Sequence, residues 1–177
     1  SSVFKRSKSQ LAHCIYATRD IPVEEAIGLK LRSQKITFCT AESCTGGLIA
    51  KRITDIPGAS AYYLGSIVSY ADSVKKRLLE VTDKALQAHG AVSRPVVRSM
   101  LAGAARQTGA EMSVAVSGIA GPGGGTKEKP VGLVYIGLLY KGKTSIKKYT
   151  FNGNREKIRW HASQAAFHQI WQKLREK

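Results

Sequence analysis

Three side chains able to act as nucleophiles stand side by side in this sequence, Ser43, Cys44 and Thr45, and two glycines, Gly46 and Gly47, follow them. The apolar run Ile36-Thr37-Phe38-Cys39-Thr40 comes before, and Leu48-Ile49-Ala50-Lys51-Arg52-Ile53 comes after. That order predicts a strand, a tight turn and a helix. Such a turn sets a nucleophile beside backbone N–H groups that have no intrahelical partner. Those groups can hold a phosphate or a developing oxyanion. An ordinary strand-to-helix turn with Ser or Thr as the helix cap has the same local string. A second suspect stretch runs from Gly118 through Gly121, Gly123 and Gly124 to Gly125 and Thr126. It lacks the Gly-Lys-Ser/Thr ending of a Walker A loop and the glycine spacing of a dinucleotide fingerprint. Its glycines still permit close backbone approach and anion-binding nests, although a plain surface loop reads the same way.

A serine nucleophile needs a base. The four histidines are His13, His89, His161 and His168. His13 lies in a ragged N-terminal segment, His89 at a helix end suited to a cap, and the other two seven residues apart on the last helix. None is expected at the carboxyl end of a strand. Lysine is the alternative, as in Ser–Lys hydrolases. Lowering a lysine from ~10.4 to ~7–8 costs about 3–5 kcal/mol. Lys75 follows Asp72 by three residues in the first turn of a predicted helix. The helix dipole and the neighbours Lys76 and Arg77 oppose its ammonium form, and Asp72 favours it. Taken alone, Lys75 reads as a solvated surface lysine.

The elements that must position these groups alternate. Helical spacing of Val23, Ala26, Ile27 and Leu31 predicts a first helix from Pro22 to Arg32. After the Ser43 turn, a helix from Thr45 to Thr54 stops before Asp55-Ile56-Pro57-Gly58. Ala61 to Tyr70 predicts a long strand bulged at Gly65. Asp72 is expected to cap a helix from Ser73 to Glu80, and a short helix spans Thr82 to Ala88. Ser93 and Pro95 start the cleanest helix, which ends near Gly109. Met112 to Ser117 is a buried strand. Val131 to Leu139 and Ser145 to Phe151 form a hairpin around Tyr140-Lys141-Gly142-Lys143. A last helix reaches Leu174, with Ile158, Ala162, Ala166, Ile170 and Leu174 on one strip and Trp160, Phe167 and Trp171 on the next, both read as core or subunit interface. The expected fold is a three-layer α/β/α sandwich with a mixed, mostly parallel sheet of about five strands. Its ligand is expected beyond the carboxyl ends of strands, where the glycine turns gather.

The chain of 177 residues suits one domain, expected over residues 21–177, with residues 1–20 loosely attached. No apolar run is long enough to span a membrane and no signal-like segment is visible. Three cysteines, Cys14, Cys39 and Cys44, without metal-ligand spacing suit a reducing, cytoplasmic compartment. Of the net charge of +16, half falls in residues 141–177. Nucleic acid, phosphorylated small molecules and a basic surface with no specific partner are the three readings. No nucleic-acid-binding motif accompanies the charge, so nucleic acid is not the expected partner.

Several strings resemble one family. Ala41-Glu42-Ser43-Cys44-Thr45-Gly46-Gly47, Asp55-Ile56-Pro57-Gly58-Ala59-Ser60-Ala61-Tyr62, His89-Gly90-Ala91-Val92-Ser93, Ser117 to Gly124 and Glu128-Lys129-Pro130-Val131-Gly132 are similar to the CinA C-terminal-domain family, over about residues 22–175. That family includes stand-alone nicotinamide-mononucleotide amidases. The resemblance implies hydrolysis of nicotinamide mononucleotide to nicotinate mononucleotide and ammonia by a Ser–Lys pair, with no metal and no cofactor. It puts the nucleophile on Ser43. The family's Tyr-Ser-Asn-Glu-Ala-Lys segment aligns with Tyr70-Ala71-Asp72-Ser73-Val74-Lys75, so its lysine falls on Lys75, while positions 71 to 74 depart from the pattern. Asn154 stands where the family's Gly-Asp-Arg has its acid.

N–H groups at the start of the helix, around Thr45, Gly46 and Gly47, are then expected to hold the oxyanion. Gly118, Gly121, Gly123, Gly124, Thr126 and Arg155 are expected at the phosphate, and Tyr70 at the nucleotide. A homodimer is expected. The alternatives are a non-catalytic nucleotide-binding module and a competence- or DNA-damage-related accessory protein.

Overall fold

The computed structural model describes residues 20–176. Nearly all of the segment expected to be loosely attached, with His13 and Cys14, lies outside the described residues. Helix α1 (Val23–Ser33) leads into strand β1 (Phe38–Glu42), and helix α2 (Leu48–Thr54) follows the Ser43 turn. A 3₁₀ turn (Ala59–Ala61) precedes β2 (Tyr63–Val68). Then come α3 (Asp72–Leu79), α4 (Asp83–His89), α5 (Arg94–Thr108), β3 (Met112–Gly118), the hairpin β4 (Leu133–Tyr140) and β5 (Lys143–Thr150), and α6 (Arg155–Arg175).

The sheet runs in the order β2-β1-β3-β4-β5. β1 is parallel to both β2 and β3, while β4 is antiparallel to β3 and to β5. Helices cover both faces, as expected for an α/β sandwich. Period-2 alternation sorts the central strands. Phe38, Met112, Val114, Val116, Val134 and Ile136 face one core, which α1, α2 and α6 close. Cys39, Ala41 and Ala115 face the other, closed mainly by Leu79 of α3 and Val96, Val97, Met100, Leu101 and Ala104 of α5. The β1–β2 register slips between Phe38 and Cys39, so Leu64 is left without a partner beside Gly65. Phe167 and Trp171 are core residues, whereas Trp160 is 46% exposed and stacks on the Arg52 guanidinium.

Several ends differ from the sequence reading, each for a local reason. α2 starts at Leu48 and not at Thr45, because Gly46 and Gly47 both take positive φ and hold the turn outside the helix. α3 has Ala71 at its cap, and the Asp72 carboxylate instead receives the Lys75 ammonium. Ser93 does not cap α5, since its hydroxyl donates to the Gly90 carbonyl. Thr82 and Asn154 do cap, accepting from Ala85 and Lys157 N–H groups.

A buried ionic node joins three helices over one face. Arg52 of α2 pairs with Glu24 of α1 and donates to Ser163 and Gln164 of α6. Arg52 and Glu24 are 6% and 8% exposed. Removing one member of such a pair leaves a buried charge uncompensated, at about 3–5 kcal/mol. We expect Arg52→Ala to lower unfolding stability by about that amount, read as a fall in denaturant midpoint with an unchanged slope.

Candidate active site

The site starts from a carboxylate. Glu42 ends β1 and is fully buried. Its Oε2 accepts from Gly47 N–H at 3.0 Å and Ile49 N–H at 3.1 Å, and its Oε1 accepts from Ala50 N–H at 2.8 Å. The first turn of α2 is thus folded back onto the last residue of the strand before it. A buried carboxylate needs such donors, and the positive end of a helix supplies them. Ser43 sits at the bend, with its N–H on the Val116 carbonyl at 3.0 Å and its own carbonyl taking Gly46 N–H at 3.0 Å.

This corrects one expectation. The Gly46 and Gly47 N–H groups, expected to hold an oxyanion, are already committed to the Ser43 carbonyl and the Glu42 carboxylate. Among the described residues, the Cys44 and Thr45 N–H groups of the turn are bound by no backbone carbonyl. Thr45 is fully buried, its hydroxyl has no partner among the described residues, and its carbonyl accepts from Arg159 Nη2 at 2.7 Å. Arg159 is a site-shaping residue that sequence reasoning missed. Its position four residues after Arg155 on the last helix was the available signal.

A cleft of about 280 Å³ opens beside Ser43, beyond the carboxyl ends of β1 and β3. Ser43, Cys44, Tyr70, Asp72 and Lys75 line one side. Ala91, Val92 and the loop from Ser117 to Gly124 line the other, with Arg155 at the edge. Ser43 and Lys75 therefore share one cavity although 32 positions separate them in the chain. Lys75 is 1% exposed. Its Nζ donates to the Tyr70 carbonyl at 3.0 Å and to Asp72 Oδ1 at 3.1 Å. An ammonium has three N–H groups, so these two bonds leave one.

The opposite wall is held by similar local bonds. Ser117 Oγ donates to the Ala91 carbonyl at 2.8 Å, fixing the end of β3 against the corner between α4 and α5. At Gly118 a Cβ would lie 2.7 Å from the Leu133 carbonyl oxygen, so only glycine lets the hairpin pass. Arg155 closes the rim. Its Nη1 donates to the Gly121 carbonyl at 2.8 Å and its Nη2 to the Tyr70 hydroxyl at 2.7 Å. Tyr70 remains 60% exposed at the cleft mouth.

Of the expected residues, Ser43, Lys75, Tyr70, Gly118, Gly121, Gly123, Gly124 and Arg155 line this cleft. Thr45, Gly46 and Gly47 support it from behind. Thr126 stands apart, closing a small turn with Glu128 and the Lys129 N–H. Asp72 and Cys44 are further lining residues. None of His89, His161 and His168 lines the cleft, and His13 lies outside the described residues. Among the described residues, no three His, Cys, Asp or Glu side chains converge as metal ligands would.

Electrostatics separates the neighbouring nucleophiles. Burial is the main cause that pushes the Cys44 thiol up to about 12, and the Glu42 carboxylate adds to it. The thiol's own N–H, Arg159 and Arg155 act in the opposite direction without reversing the result. Burial raises Cys39 as well. A thiol so raised carries almost no thiolate near neutral pH.

A strand-turn-helix serine, a buried lysine and a glycine loop thus line one cleft at the end of an α/β sheet. Comparison with known proteins gives the family. The CinA C-terminal domain model matches residues 20–174, and the chain belongs to that family. It is 42% identical over 168 residues to a "Putative competence-damage inducible protein" of Moorella thermoacetica, covering 95% of this chain and 41% of the relative. It is 46% identical over 142 residues to a "CinA-like protein" of Chloroherpeton thalassium, covering 80% and 34%. The chain thus spans about two fifths or less of the length of these curated relatives. Among solved structures, a CinA superfamily protein from Klebsiella pneumoniae superposes with a TM-score of 0.83 at 30% identity, covering 87% of this chain and 98% of that one. A competence/damage inducible protein from Agrobacterium tumefaciens gives 0.81 at 34%, covering 90% and 100%.

Cysteine mapping checks the electrostatics. At mildly alkaline pH, iodoacetamide is expected to leave Cys39 and Cys44 unmodified in the folded protein and to label both after unfolding, read peptide by peptide in a mass spectrometer. Labelling of Cys44 in the folded protein at the rate of a free thiol would contradict the assignment.

Proposed function

We propose that this chain is an amidohydrolase that converts nicotinamide mononucleotide to nicotinate mononucleotide and ammonia, with Ser43 as nucleophile and Lys75 as base. One observation carries the reading: Ser43 and the buried Lys75 line the same cleft. Family membership supports it. The reaction requires the Lys75 amine to enter uncharged. It takes the Ser43 hydroxyl proton as Oγ bonds to the carboxamide carbon. As the tetrahedral intermediate collapses, the C–N bond breaks and the proton passes to the departing nitrogen, releasing ammonia. Water then attacks the acyl ester, Lys75 takes its proton, and Ser43 regains a proton as nicotinate mononucleotide leaves. The Cys44 and Thr45 N–H groups are the donors we assign to the oxyanion, an interaction worth about 3 kcal/mol.

The substrate phosphate is assigned to the rim, because Glu42 occupies the helix start that would otherwise receive an anion. Arg155 and the backbone of Gly121, Gly123 and Gly124 are its partners, and Tyr70 lies against the base or ribose. The chemistry calls for no metal or cofactor. A cytoplasmic setting fits both this substrate and the buried free thiols Cys39 and Cys44.

A second reading rests on Asp72. Its carboxylate bonds the same Nζ that the mechanism needs as a base, which suits a module that binds the nucleotide without turning it over.

Ammonia release from nicotinamide mononucleotide tests the proposal. Ser43→Ala is expected to lower it by about 10³-fold or more with an unchanged circular dichroism spectrum, and Cys44→Ala to retain it. Wild-type protein that binds the nucleotide yet releases no ammonia would favour the second reading. Arg155→Ala is expected to raise KM by roughly tenfold or more, the loss of a charge-assisted bond. An unchanged KM would move the phosphate elsewhere.

A further inference from the structure

A second pocket lies away from the cleft, between β5 and the last two turns of α6. It measures about 150 Å³ and shares no lining residue with the cleft. Arg155 at the cleft and Gln169 at this pocket stand about 21 Å apart along α6, at ~1.5 Å of rise per residue. Strand alternation builds one wall. Ile146 turns into the core under α5 and Tyr149 packs on the opposite core, so Lys143, Ser145 and Lys147 share the face that Tyr149 uses, towards α6. Lys143 and Lys147 are exposed. Lys147 Nζ donates to Gln172 Oε1 at 3.2 Å. Among the described residues, neither Lys143 nor Lys147 is paired with a carboxylate. Gln169 belongs to the lining and is only 5% exposed. Its Nε2 donates to the Ile136 carbonyl at 3.4 Å and to the Tyr149 hydroxyl at 3.2 Å, and neither of these residues lines the pocket. Its Oε1 is buried and has no hydrogen-bond partner among the described residues. With the Nε2 end spent on groups outside the pocket, Oε1 is turned to the pocket side.

We propose that this pocket binds a small phosphomonoester that carries a free hydroxyl. Charge selects a dianion. Lys143, Lys147 and Lys173 bring three positive charges to the lining and Glu176 one negative charge, which leaves two in excess. Lys173 is the committed member, since it pairs with Glu176. A phosphomonoester carries about −1.5 to −2 near neutral pH and presents three strong acceptor oxygens to these ammonium groups. The amide carbonyl selects the hydroxyl. Gln169 Oε1 only accepts, so the ligand must supply an O–H or N–H to it. A fully ionised dicarboxylate matches the charge but offers acceptors alone. A buried acceptor without a donor is unfavourable in the free protein, so the hydroxyl gains its bond without breaking one inside the fold. Size selects a small ester. The pocket has about half the volume of the cleft of about 280 Å³, too little for a whole nucleotide. Lysines on an edge strand also deter pairing with another sheet, but that role gives no reason for an unpaired amide carbonyl beside them.

Calorimetric titration of the full chain at mildly alkaline pH and low salt tests this, with glycerol phosphate and succinate as probes. Both are dianions there, and only the first carries hydroxyls. The Arg155→Ala protein is titrated beside the wild type, so that binding at the cleft rim is told apart. Glycerol phosphate is expected to saturate a site that survives Arg155→Ala, and to bind there at least about fivefold more tightly than succinate. Lys143→Ala with Lys147→Ala is expected to weaken that binding by at least about tenfold, the loss of two charge-assisted donors, with an unchanged melting temperature. Gln169→Met, which keeps the length of the side chain and removes its carbonyl, is expected to abolish the preference for glycerol phosphate over succinate. Should that variant fail to fold, the backbone amide shifts of isotope-labelled wild type decide, and those of residues 143–147 and 169–173 are expected to move with added glycerol phosphate. Binding that disappears with Arg155→Ala, that persists at full strength in the lysine variant, or that is equal for the two probes overturns the proposal. So does a folded Gln169→Met protein that keeps the preference, or a titration that leaves those amide shifts unmoved.

Discussion

The structure around the candidate site depends on one interaction, the capture of the first turn of α2 by the Glu42 carboxylate. A carboxylate removed from water loses several kcal/mol of solvation. Three backbone N–H groups, each a charge-assisted donor of about 1.5–3 kcal/mol, offset that loss, and the helix dipole adds to it. The contact spans only eight positions in the sequence. It forces the chain to reverse between strand and helix, and the residues at the reversal are Ser43, Cys44 and Thr45. Gly46 and Gly47 take the positive φ values that the reversal needs.

The same capture organises the charges of the cleft. A helix start is the usual place for an anion in a fold of this kind, and here an internal anion fills it. Cationic donors stand instead on the first turns of α6. Arg155 joins Gly121 to Tyr70, and Arg159 holds the Thr45 carbonyl. Two arginines one helical turn apart thus brace both walls. The buried carboxylate also acts on its neighbours. It adds to the desolvation that keeps the Cys44 thiol protonated, and the mechanism we propose relies on the Ser43 hydroxyl instead.

Much of this was legible in the sequence. Alternation of strand and helix patterns, the two glycine turns, the hairpin and the amphipathic helices all reflect local rules of spacing and dihedral preference. Gly109, in the left-handed region at the end of α5, and Asn154, at the start of α6, mark ends that the structure has. Family resemblance pointed to Ser43 and Lys75. Roles that depend on the third dimension escaped. Glu42 read as one more residue between strand and turn. Asp72 was expected both as a cap and as a charge acting on Lys75, and only the second role stands. Arg52 was given no role in the helix after the turn and is the buried link between α1, α2 and α6.

The sequence by itself determined which segments are strands and helices, where glycine lets the backbone turn, and which residue types are available for chemistry, because those properties act over a few neighbouring residues. Only the tertiary structure decided which groups meet. Parallel pairing of β1 with both β2 and β3 brings the Ser43 turn, the segment from Tyr70 to Lys75 and the Gly118 loop to one end of the sheet. Hydrogen-bond donors are finite, so each N–H taken inside the fold is withdrawn from a ligand. Which of them remain available is settled by packing between elements far apart in the chain, and no local pattern records it.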